Sequence, residues 1–151
     1  KFGISFTTKF LNQGNALVNV YKDGTVQVST GGTEMGQGLN TKIRQLVADE
    51  FGISYDDVRI MITSTEKNNN TSPTAASAGT DLNGMAALKA CRKIRKNLTE
   101  LASSYFSSPQ QGIEPSVEHI CFVAGSSGGN STVYDERLPE NTITFHLEQY
   151  S

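Results

Sequence analysis

The sequence predicts an α/β fold, α+β-like in its order, with a mixed sheet and two main helices, each preceded by a Gly/Ala-rich loop. Three observations predict it. Short β-branched runs on either side of residues 31–57 carry strand character. Two longer stretches place apolar residues at helical spacing, Leu39 to Phe51 and Asp81 to Ala102. Each of these stretches follows a run of small residues, Gly31-Gly32-Thr33-Glu34-Met35-Gly36-Gln37-Gly38 and Thr71-Ser72-Pro73-Thr74-Ala75-Ala76-Ser77-Ala78-Gly79-Thr80.

The elements follow in order. Phe2 to Phe10 reads as a strand, and Asn15 to Tyr21 as a second strand with Ala16, Val18 and Val20 on its buried face. Asp23-Gly24 is a two-residue hairpin signal, so Thr25 to Thr30 returns beside it. Leu39, Ile43, Leu46, Val47 and Glu50 give the first helix, which Gly52 ends at the position past the last turn. Ser54, with Asp57 three residues on, makes a short capped turn before a strand from Val58 to Thr63. Ser64 to Pro73 has no apolar residue and reads as a loop. Leu82, Met85, Ala86, Ile94, Leu98 and Leu101 outline the second helix, with Cys91 beside that face. Val117 to Val123 and Ser131 to Tyr134 read as a hairpin around Gly125 to Gly129, and a last helix is expected to begin near Thr144 and Phe145. The chain starts without Met inside a strand-like run and ends in that expected helix, which predicts a piece of a larger polypeptide.

Composition narrows the function. A chain of 151 residues is expected to form one domain with a core that needs no disulfide or metal staple. Net charge is −2, which argues against nucleic acid as the main partner. No apolar run approaches the ~20 residues that span a bilayer, and no signal peptide is readable. Cys91 and Cys121 lack metal-site spacing and read as free thiols, which suits a reducing, cytoplasmic setting. The N-x-S/T matches at Asn69, Asn70, Asn97 and Asn130 read as chance in an Asn-, Ser- and Thr-rich chain.

The two small-residue loops carry the chemistry. A helix start has N–H groups without intrahelical partners and the positive end of the dipole, so it favours anions. Small side chains let that backbone approach a ligand. Two such loops predict a shared site for a polyanionic cofactor with a flat polar ring; the bland alternative is a flexible turn and a tightly packed helix. The glycine spacing fits neither the dinucleotide fingerprint nor the P-loop. Gln37 can donate to and accept from a heteroaromatic ring or an oxo group. Glu34 reads equally as a general base or as an acid that complements the helix dipole. Asp56, Asp57 and Asp81 read as cap or turn residues, and His119 and His146 as isolated. No catalytic set and no protein metal site is readable.

Several segments resemble the molybdenum-cofactor-binding part of the xanthine dehydrogenase family. They are Phe2-Gly3-Ile4-Ser5-Phe6, Phe10-Leu11-Asn12-Gln13, Val20-Tyr21-Lys22-Asp23-Gly24, the loop Gly31 to Gly38, Thr71-Ser72-Pro73-Thr74-Ala75-Ala76-Ser77 and Thr80-Asp81-Leu82-Asn83-Gly84. They stand in family order over residues 1–102, while 103–151 are similar only loosely; residues 1–151 are thus expected to be part of one molybdopterin-binding domain. The Ser-Pro-Thr-Ala-Ala-Ser form is closer to xanthine dehydrogenases than to aldehyde oxidases.

The resemblance implies roles residue by residue. Met35, Gly36 and Gln37 would contact the pterin or its phosphate. Ala75, Ala76, Ser77, Ala78, Gly79 and Thr80 would line the side next to ring and metal, with Ala76 small to leave room. Asn68-Asn69-Asn70 stands where the family has Val-Pro-Asn, and Gly79 replaces a serine of some relatives. The family's general-base glutamate, substrate-orienting arginine and Phe-Gly-Gly motif match no part of this segment. The implied partners are the remainder of the molybdenum-binding subunit, an iron–sulfur/FAD portion, NAD and a purine substrate. The chain alone is expected to be inactive. Two other readings remain open: a non-catalytic module that holds a phosphorylated ligand at two helix starts, and a scaffold domain whose loops only turn corners.

Overall fold

The computed structural model describes residues 12–67, 70–75, 77–106, 120–123, 131–135 and 138–145. The expected strand Phe2–Phe10 lies outside them. The first sheet has the order β1-β2-β3, with β1 at Ala16–Val20, β2 at Val26–Thr30 and β3 at Val58–Ile60. β1 and β2 are an antiparallel hairpin with Val18 opposite Val28, and its turn holds Gly24 at φ 79°. β2 and β3 are parallel, with Val28 opposite Ile60. A parallel neighbour needs a crossover, and helix α1 at Leu39–Phe51 supplies it. The sheet is therefore mixed, as the sequence implies. β3 is shorter than the expected Val58–Thr63, with one further bond from Met61 N to Val28 O at 2.8 Å.

The core lies between one sheet face and two helices. Val18, Val26, Val28 and Val58 pack with Leu39, Ile43 and Val47 of α1 and with Ala87 and Cys91 of α2, the helix Met85–Phe106. Burying each large aliphatic side chain contributes roughly 1.5–3 kcal/mol. α1 ends as its sequence dictates. Gly52, at φ 68°, donates to Asp49 O at 3.2 Å, and Ile53 N donates to Ala48 O at 3.0 Å, the paired bonds of a Schellman ending.

Two polar clamps fix α1 in place. Arg44 donates from Nε to Val58 O at 2.7 Å and from Nη2 to Tyr55 O at 2.8 Å, with its guanidinium 3.8 Å from the Tyr55 ring centre. At the other end, Arg92 Nε meets Glu50 Oε2 at 3.1 Å and Arg95 Nη1 donates to Glu50 O at 3.0 Å. These last contacts join α1 to α2.

The second helix departs from expectation at its start. Thr80–Gly84 form a π-helical turn that runs into α2, so the widened turn occupies the segment between Gly79 and Met85. Its neighbours leave little room: a Cβ on Gly14 would collide with the Leu82 carbonyl, and one on Gly84 would lie 2.8 Å from Leu46 Cδ1. Such turns recur at functional sites.

Strands β4 (Ile120–Val123), β5 (Ser131–Asp135) and β6 (Leu138–Phe145) make a second, antiparallel sheet. β4 and β5 bear out the expected hairpin, whose turn at Gly125 to Gly129 lies outside the described residues. The helix expected to begin near Thr144 is a correction: Thr144 and Phe145 belong to β6, opposite Thr132 and Ser131. The run Thr142-Ile143-Thr144-Phe145 is β-branched and aromatic, and pairing with β5 decides in favour of strand.

Candidate functional site

The loop after β2 is tied to the loop before α2. Thr33 N donates to Thr74 Oγ1 at 2.8 Å, and Thr63 Oγ1 donates to Gly32 O at 2.7 Å. Gly31 and Gly32 are buried, with side chains packed close against both. A Cβ on Gly31 would overlap Thr71, and one on Gly32 would sit 2.6 Å from Leu39 Cδ2 and 3.1 Å from Asn83 Nδ2. Residue 13 fastens the far end of the second loop: Gln13 N donates to Ser72 Oγ at 2.7 Å, and Ser72 N donates to Gln13 O at 2.9 Å.

Within the first loop, one carboxylate organises the backbone. Glu34 Oε1 accepts from Gly36 N at 2.8 Å and Gly38 N at 3.0 Å, and Oε2 accepts from Asn40 N at 2.9 Å. Those amides, Asn40 first, hold its carboxyl below the usual glutamate range. Gly36 at φ 97° and Gly38 at φ 76° take backbone conformations that favour glycine, which lets the amides converge. Glu34 is thus the cap of α1, not a free base. At the first helix start, an acid of its own loop already takes the Asn40 amide.

Gln37 is folded onto the same loop. Its Oε1 accepts from Met35 N at 2.6 Å and its Nε2 donates to Thr33 O at 2.9 Å. Exchanging oxygen and nitrogen would break both bonds, so the carboxamide has one orientation. One Nε2 hydrogen is left beyond the Thr33 bond. Met35, Gly36 and Gln37 are all exposed, Met35 at 67%.

The second loop has a different construction. Ala78 N donates to Ala75 O at 3.2 Å, closing a turn in which Ser77 has φ 61°. Ser77 is the one non-glycine at positive φ among the described residues, a conformation that costs an L-residue about 1–2 kcal/mol. Ala75 and Ser77 are exposed, Gly79 and Thr80 half-buried, and Ala78 buried. Ala76 lies outside the described residues. No side chain caps the π turn that follows.

Asn83 was not singled out from the sequence as a site residue, yet it stands where the loops meet. It is 3% exposed, and its Nδ2 donates to Gly79 O at 3.1 Å. Its Oδ1 is buried without a partner. A buried amide oxygen left without a partner costs roughly 1–3 kcal/mol, which makes Asn83 a candidate ligand contact at the junction. The sequence signal was the Asn beside Gly84 in a helix start, easily read as ordinary helix. Among the described residues, no group of His, Cys, Asp and Glu could hold a metal ion. A shallow depression lined by Leu17, Asn19, Gln27, Ser29, Met61 and Lys67 involves none of these loop residues.

Comparison with known proteins shows the family. The molybdopterin cofactor-binding domain family matches residues 1–136. Xanthine dehydrogenase of Dictyostelium discoideum is 62% identical over 94 residues, covering 62% of this chain and 7% of that protein. Xanthine dehydrogenase 1 of Arabidopsis thaliana is 55% identical over 105 residues, covering 70% and 8%. The chain thus spans less than a tenth of either relative. Reconstituted CO dehydrogenase from Oligotropha carboxidovorans superposes with a TM-score of 0.71 at 24% identity, over 95% of this chain and 16% of that one, a likeness of fold. By the match over residues 1–136, the chain belongs to the molybdopterin cofactor-binding domain family.

Proposed function

We propose that this segment forms one wall of the molybdopterin site in a molybdenum hydroxylase of the xanthine dehydrogenase type. The observation that carries the reading is the bond from Thr33 N to Thr74 Oγ1, which brings the segment holding Met35, Gly36 and Gln37 beside that holding Ala75 to Thr80. The residues suit such a group. Its ring and phosphate need hydrogen-bonding groups and close backbone, and the loops supply small residues, hydroxyls at Ser77 and Thr80, and the unpaired Asn83 Oδ1. Its metal would be held by the cofactor's own sulfurs, so no cluster of protein ligands would be required.

When bound, the cofactor supplies the oxidative hydroxylation chemistry, and this chain's residues bind and orient it. Gln37 offers its remaining Nε2 hydrogen to an acceptor. Met35 covers apolar surface and gives up its own exposure to solvent. The Ala75–Gly79 stretch lets the ring lie close to backbone and keeps bulk away from the substrate. The complete protein would convert hypoxanthine and xanthine to urate and pass electrons through iron–sulfur clusters and FAD to NAD, as a cytoplasmic enzyme. The general base and the substrate-orienting arginine would come from the remainder of the molybdenum-binding subunit.

The test uses the full-length protein that carries this segment, with xanthine and an aromatic aldehyde as substrates. Urate formation is expected, and Ala76→Leu should lower kcat/KM for xanthine on the order of tenfold or more with the cofactor still bound. Oxidation of aldehydes without purine turnover would instead favour an aldehyde oxidase. A protein without pterin that binds a simple phosphorylated ligand would favour the non-catalytic module.

A further inference from the structure

Gln37 sits between two glycines, and neither glycine restrains it. Gly36 and Gly38 both have positive φ, and a Cβ at either would meet nothing within 4 Å. Packing therefore does not fix the backbone around Gln37. Hydrogen bonds hold it instead: Lys42 donates from Nζ to Gln37 O at 3.4 Å and from its backbone N to Gly38 O at 3.1 Å, while Glu34 Oε1 takes the amides of Gly36 and Gly38 on both sides of Gln37. The second oxygen has a separate job: it takes Asn40 N, inside the first turn of α1. The two halves of one carboxylate thus do different things. Oε1 shapes the loop, and Oε2 caps the helix.

We propose that Glu34 is a positioning residue, whose Oε1 bonds to Gly36 and Gly38 hold Gln37 in the conformation that meets the cofactor. The inference rests on the reading of this segment as a molybdopterin-site wall. Glu34 acts through Gln37, whose carboxamide is closed onto Thr33 O and Met35 N only while the intervening backbone keeps its shape. Freeing the two glycines lets Gln37 leave that arrangement, and its remaining donor is no longer presented to one place. Side-chain and backbone freedom must then be lost again when the cofactor binds, which weakens retention.

The split between the two oxygens makes the proposal testable. In Glu34→Gln, the carbonyl oxygen can still accept from Gly36 and Gly38, while the NH2 group opposes the Asn40 amide. In Glu34→Ala, both functions are lost. The experiment measures retained pterin, by fluorescence after acid release and oxidation, and the melting temperature, on the full-length protein. The variants are Glu34→Gln, Glu34→Ala, Gln37→Ala and the Glu34→Ala/Gln37→Ala double.

Both Glu34 variants should melt below the parent protein. Of the two, only Glu34→Ala should lose pterin, on the order of tenfold, and the double variant with Gln37→Ala should lose no more than the larger single loss. Pterin loss that follows melting temperature through all variants would overturn the proposal and leave a helix cap alone. Full pterin retention in Glu34→Ala would overturn it too. If Glu34→Ala does not fold, near-normal retention in Glu34→Gln at a lowered melting temperature supports the proposal, and proportional loss there overturns it. A parent protein that carries no pterin at all would instead overturn the reading of the site.

Discussion

Glu34 is an exposed residue, yet its carboxylate accepts backbone N–H bonds on both its oxygens, and these hold its carboxyl below the ordinary value of 4.5. A carboxyl lowered in the folded protein stabilises it most where the unfolded group is also ionised. That contribution is therefore complete above the ordinary value and is lost as pH falls through the lower folded value. The gap in melting temperature between the protein and Glu34→Gln should hold steady from pH 8 to about pH 5 and close below it. A gap that persists undiminished to about pH 3 would contradict the capping role. Cys91 gives a second residue-scale prediction: it is fully buried, and burial pushes its thiol up to about 12. It should resist iodoacetamide in the native protein and react after denaturation, as mass spectrometry would read. Gln37 was legible as a polar residue between glycines. Its folding back onto Thr33 and Met35 was not, because that depends on two positive φ values which sequence leaves open.

Helix α1 was legible from end to end, since its buried residues Leu39, Ile43 and Val47 repeat at helical spacing and Gly52 closes it. The π turn before α2 was not. Its apolar spacing suits an ordinary helix equally well, and the close approach of Gly14 to Leu82 and of Leu46 to Gly84, which leaves no room for a Cβ, is a tertiary matter. β6 was misjudged because a short apolar and β-branched run reads either way until a partner strand is known. At this scale, Ile43→Ala should cost roughly 2–5 kcal/mol, read as lost protection of α1 amides in hydrogen exchange. Arg44→Lys should cost about 1–2 kcal/mol by the same readout, since an ammonium cannot reach both Val58 O and Tyr55 O as a fork. Exchange in α1 that is unchanged in Arg44→Lys would show that the fork contributes nothing to holding the helix.

The molecule as a whole uses a small mixed sheet and two helices to hold two loops side by side. The class of fold could be read from periodicity, and the two loops from their glycines and alanines. Their junction could not, because it is made by Thr33, Thr63, Thr71, Thr74 and Asn83, ordinary polar residues far apart in the chain. Both loops are proposed to line one cofactor site. Hydrogen–deuterium exchange on the full-length protein, with the pterin cofactor bound and after its removal, tests it most directly. Residues 33–38 and 75–80 should both lose protection together when the cofactor leaves, while α1 beyond its first turn stays unchanged. Unchanged exchange in both loops, or a change confined to one of them, would contradict the account.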